Sequence, residues 1–98
     1  MNTDRLNELR SSIDEIDHQI LSLLTARLRL VLEVGELKRD YGAQVYDAER
    51  ERQVLERLSG AAQEPLSPKT ARRIFERIID ESRSHEQHHI SEPPNDAT

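Results

Sequence analysis

Between Leu6 and Tyr41 the apolar residues fall at Leu6, Leu9, Ile13, Ile16, Ile20 and Leu23, then at Leu30, Val34, Leu37 and Tyr41. The steps alternate between three and four, which predicts one stripe of a long amphipathic helix. One beat is missing. Position 27 should continue the stripe, and it holds Arg27. A permanently charged guanidinium in place of a hydrophobe implies either a locally wet seam or an anion that meets it there.

The rest of the chain predicts two further helices. Thr3 or Asp4 can cap the first, and Gly42 supplies the turn that ends it. Residues 42–46 connect to a second helix over 48–62, capped by Asp47, with Val54, Leu55, Leu58, Ala61 and Ala62 as its stripe. Gly60 and Glu64-Pro65-Leu66 close it. Ser67-Pro68 is a helix start, a capping hydroxyl followed by proline at the first helical position. The third helix runs to about His89, with Ala71, Ile74, Phe75, Ile78 and Ile79 as its stripe. Continued by three and four, that stripe reaches Ser82 and Glu86. Residues 91–98 (SEPPNDAT) read as a disordered tail, so residues 1–90 form the domain. With no strand pattern, the expected fold class is all-α, a three-helix protomer with a very long first helix.

That helix raises a packing problem. Its roughly 36 residues span about 54 Å, whereas a compact chain of this size has a radius of gyration of only about 13 Å. With 98 residues, 35% hydrophobic and 3% aromatic, the core would be thin, and the stripe would lie in water. A homo-oligomer is the expected remedy. Charge narrows the partners: 14 basic and 19 acidic residues, net −5, are interspersed, which is no basic footprint for nucleic acid. No apolar run reaches membrane-spanning length, and the polar N-terminus is no signal peptide. The absence of cysteine removes disulfide and thiolate chemistry. A cytoplasmic protein is expected.

The polar interruptions share a logic. Arg27, Val31, Val34 and Lys38 lie at i, i+4, i+7 and i+11, so both cations share a face. Arg10 sits one position past Leu9, at the edge of the seam. The second helix, extended back one turn, adds Arg50 and Glu51, and the third adds Ser82 and Glu86. Taken singly, Arg27 reads as a snorkelling or paired arginine, and Lys38 or Arg50 as a solvated charge. Together they outline an interior with several cations, two carboxylates and a hydroxyl, for which an anionic ligand would compensate. His85, His88 and His89 could gather as metal ligands do, but no further ligand accompanies them, and exposed histidines are the simpler reading, as for His18. No metal is expected. No nucleotide fingerprint or nucleophilic triad is present.

Four motifs carry a family resemblance: Leu9-Arg10-x-x-Ile13-Asp14-x-Ile16-Asp17, Leu24-x-x-Arg27, Glu33-Val34-Gly35-x-x-Lys38 and Asp47-x-x-Arg50-Glu51. In this order and spacing the chain resembles the all-helical chorismate mutases from about Leu6 to Gln87. The resemblance implies an entwined homodimer and a cofactor-free [3,3] rearrangement of chorismate, a dianion, to prephenate on the route to phenylalanine and tyrosine. It implies that Arg10 crosses to the partner's site to grip a carboxylate, and that Arg27 grips a second. Lys38 would touch both a carboxylate and the ether oxygen, as the main catalytic electrostatic group. Asp47, through its backbone, and Glu51 would hold the substrate hydroxyl. Arg50 would be a further active-site arginine, Ser82 a hydroxyl near a carboxylate, and Val34 a wall position. At 98 residues the chain is expected to act without the dehydrogenase or dehydratase domains often fused to this family.

One position departs from the usual pattern. Many bacterial members place glutamine four residues after the serine, where its amide donates to the ether oxygen. Here that residue is Glu86, followed by Gln87. Only a protonated acid can donate, so activity is expected to rise as pH falls below neutrality. Burial would raise the Glu86 pKa and Lys38 would lower it. The competing functions are an isochorismate pyruvate lyase of the same fold and a non-catalytic helical dimer or regulatory module.

Overall fold

The computed structural model describes residues 3–44 and 46–91. Three helices account for nearly all of them: α1, Thr3–Asp40; α2, Ala48–Ala61; and α3, Pro68–Ser91. No strand occurs among the described residues. The predicted helices appear in order, with small differences at their ends. Gly60 does not stop α2, whose cap is Ala62, with its N–H on the Ser59 carbonyl. Helix α3 passes His89 and includes Ser91, so Ser91 belongs to the helix and not to the expected tail. Positions 92–98 lie outside the described residues.

Each helix end has a local cause. Helix α1 ends where Gly42 takes a φ of 71°, a conformation that only glycine adopts at little cost. There the Gly42 N–H reaches the Arg39 carbonyl at 3.0 Å, and the Ala43 N–H reaches that of Lys38 at 2.7 Å. Asp47 caps α2, its Oδ1 accepting the Arg50 N–H at 3.0 Å. Ser67 caps α3 by accepting the Thr70 N–H at 3.1 Å. Caps of this kind are worth about 1 kcal/mol each. The Glu64–Pro65 peptide between α2 and α3 is cis.

The chain divides into two units, residues 1–30 and 31–98, with the division falling inside α1. In the first unit, the described residues are a single length of helix. Its apolar stripe is open to solvent: Leu9, Ile13, Ile16, Ile20, Leu23 and Leu30 are between 45% and 70% exposed. In the second unit α2 packs on α3. Its buried apolar residues are Val54 from α2 and Ala71 and Ile79 from α3, joined by Gly35 from the last turns of α1. Among the described residues no large side chain is fully buried, so the core is thin, as the composition predicts.

Candidate functional site

The polar ends of the stripes meet in the second unit. Ser82 and Glu86 lie one turn apart on α3 and are both buried, at 9% and 6% exposure. Gln87, turned away by about 100°, is exposed. The carboxyl-bearing side chain therefore faces inward. Three elements determine its charge. Burial pushes the Glu86 carboxyl above the usual carboxylate range, Lys38 of α1 pulls it back, and Glu51 of α2 pushes it up again. The net shift is upward. A carboxyl held this way retains its proton to higher pH and can act as a donor.

The other predicted residues divide by location. Lys38 and Glu51 are half-buried and lie within electrostatic reach of Glu86. The Ser82 hydroxyl donates to the Ile78 carbonyl at 2.7 Å, one turn back in its own helix. Asp47 uses its side chain as the α2 cap, and its carbonyl accepts the Glu51 N–H at 3.1 Å. Arg50 and Val34 are exposed in the single chain. Arg10, exposed, and Arg27, half-buried, belong to the first unit.

Two interactions were not anticipated. Arg83, half-buried on α3, puts Nε 3.3 Å from Glu51 Oε2 and Nη2 2.6 Å from Asp80 Oδ1. The Nε–H is not aligned for a hydrogen bond and stays unsatisfied, so the contact with Glu51 is ionic. The guanidinium carbon also lies 4.8 Å from the centroid of the Tyr46 ring, a cation–π contact worth about 0.5–1 kcal/mol at an exposed position. A sequence signal existed: position 83 is four past Ile79 and three before Glu86. The second interaction is a contact of 2.8 Å between His89 Nε2 and Glu36 Oε1. It ties the last turns of α3 to α1, so His89 is exposed but bonded. No three His, Cys, Asp or Glu side chains among the described residues are grouped to hold a metal ion.

The arrangement offers a cation, an acid held above the usual carboxylate range and a second carboxylate in one place. It can bind an anion bearing an oxygen that gains charge, and it can donate a hydrogen bond to that oxygen. Comparison with known proteins gives the same direction. The model of the family described as chorismate mutase type II matches residues 9–87. The chain belongs to that family. It is 30% identical over 93 residues to the chorismate mutase of Methanocaldococcus jannaschii, covering 94% of each chain. Among solved structures it is similar to the Thermus thermophilus chorismate mutase (form II), with a TM-score of 0.83 and 35% identity over 85% of this chain and 94% of that one. It is also similar to the Helicobacter pylori chorismate mutase in complex with prephenate, with a TM-score of 0.83 and 26% identity over 92% of this chain and 98% of that one. No helix among the described residues is long and apolar enough to cross a membrane.

Proposed function

We propose that this chain is an enzyme that rearranges chorismate to prephenate without a cofactor, acting as a homodimer with shared sites. The observation that carries the reading is Glu86, a buried carboxyl facing Lys38 in a chain of the chorismate mutase type II family. In the reaction a carbon–oxygen bond breaks as a carbon–carbon bond forms, and no proton or electron is exchanged with the protein. Catalysis then consists of holding the reactive conformer and stabilising charge on the ether oxygen.

Lys38 supplies the positive charge at that oxygen, and Glu86, protonated, donates a hydrogen bond to it. Arg27 grips one substrate carboxylate, Ser82 serves as a hydroxyl near a substrate carboxylate, and Arg50 is a further cation. Glu51 and the Asp47 backbone take the ring hydroxyl, and Val34 forms part of the wall. Arg10 enters from the partner. The exposed stripe from Leu9 to Leu30 supports the dimer: fully burying one such side chain contributes about 1.5–3 kcal/mol, and a second copy of the same stripe is the surface suited to cover it.

The direct test is to supply purified protein with chorismate and with isochorismate. Formation of prephenate from chorismate is expected. Pyruvate release from isochorismate without prephenate formation would reassign the chain to lyase chemistry, and inertness toward both would make it a binding module. Sharing of sites is tested by mixing inactive Arg10→Ala and Lys38→Ala proteins. Random exchange gives half heterodimers with one intact site each, or about a quarter of wild-type activity. No recovery after exchange would rule out shared sites.

A further inference from the structure

We propose that Arg83 is a positioning residue that presents Glu51 to the ligand and holds the α1–α2 connection in place through Tyr46. The inference rests on the catalytic reading above and adds a residue to it. Three parts of the second unit meet at this one guanidinium. Its Nη2 is fixed to Asp80 on its own helix at 2.6 Å, its Nε faces Glu51 in the first turn of α2 at 3.3 Å, and its plane lies near the ring of Tyr46 at 4.8 Å. Arginine suits this place because its planar fork serves two carboxylates at the edge while a face stays open to an aromatic ring. Lysine, a point charge on a flexible stem, matches the charge but not the shape.

Two consequences follow. Glu51 is steered by charge, since the Nε–H is not aligned into a linear bond, and it can still turn an oxygen toward a ligand hydroxyl. Glu51 is also partly neutralised, and it is the like charge that acts on Glu86. The charged groups around Glu86 are Lys38 from α1 and Glu51 from α2, with Arg83 and His89 one turn away on either side along α3. Loss of Arg83 leaves the Glu51 charge uncompensated, so Glu86 holds its proton to a higher pH. A residue that merely props up the fold would not produce that shift.

The test uses the full chain and two readouts. The first is the ionisation of Glu86 in ligand-free protein, followed by NMR of its carboxyl carbon across pH. In Arg83→Ala the midpoint moves upward. In Glu51→Gln it moves downward, and adding Arg83→Ala to Glu51→Gln produces a smaller upward shift than Arg83→Ala does alone. The second is steady-state kinetics on chorismate. KM rises about tenfold in Arg83→Ala, the fold-change of one positioned hydrogen bond. Arg83→Lys restores the NMR midpoint but not KM. Should Arg83→Ala fail to fold, Arg83→Lys decides alone: an unchanged KM overturns the proposal. A Glu86 midpoint that ignores Arg83, or a shift of the same size in the Glu51→Gln background, overturns it as well. Absence of prephenate formation by the wild type would remove the catalytic reading, while the NMR midpoints would still judge the coupling of Arg83, Glu51 and Glu86.

Discussion

The two units of this chain depart from the ordinary distribution of residues in opposite directions. From Thr3 to Leu30, large aliphatic residues repeat every three or four positions and remain exposed. From Val31 onward, a carboxyl and a hydroxyl are buried while Ile74 and Leu66 stay partly outside. Exposed apolar stripes and buried polar groups are the informative exceptions in folded proteins. The first kind points to another surface that covers the stripe, the second to a ligand or a chemical task. One helix runs through both, so on the proposed reading the same periodic pattern serves assembly in one half and chemistry in the other.

The comparison can be broken most severely at Lys38. Lys38→Ala is expected to lower kcat by about 10²–10³-fold, as removal of one preorganised transition-state donor does, while circular dichroism retains the helical spectrum. An active Lys38→Ala would detach the buried half from catalysis. On the exposed half, Ile16→Asp sets like charges across the proposed seam. Sedimentation should report monomer in place of dimer, with a loss of helix signal and of activity. A dimer that tolerates the aspartate would place the assembly surface elsewhere.

A finer test concerns Glu86. Its raised carboxyl means that the folded state binds its proton more tightly than the unfolded chain does. The associated stability is fully present below the ordinary glutamate range and is lost as pH rises through the folded value. Glu86→Gln, permanently a donor, is therefore expected to flatten the rise of activity toward acid and to make the protein less sensitive to alkaline pH in thermal melts. A flat wild-type pH–rate profile would end the role of Glu86 as an acid.

Much of this was legible in the sequence, because helical periodicity puts residues on faces. Ser82 and Glu86 were placed inward by continuing the α3 stripe, and both are buried. The sign of the Glu86 shift was not legible. It depends on how deeply the carboxyl is buried relative to the pull of Lys38, and spacing carries no depth. Arg83 was missed for a related reason. Its partners Tyr46 and Glu51 lie on other elements, and periodicity within one helix is silent about which loop folds over it. Arg50 was reached by extending the α2 stripe back one turn and Val34 lies on the α1 stripe, and both are exposed in the single chain.

The two glycines inside helices carry a lesson for anyone stabilising this protein. A mid-helix glycine costs about 1 kcal/mol relative to alanine, so both invite replacement. At Gly60 a methyl group would meet no atom within 4 Å, and Gly60→Ala should raise the melting temperature by about 2–5 °C. Gly35 is buried in the last turns of α1, three residues before Lys38, and a buried position tolerates added volume less readily than an open one. Helix propensity alone would rank the two substitutions equally. Burial separates them: Gly60 is open to a methyl group, whereas Gly35 lies one turn from the lysine proposed to act on the ether oxygen.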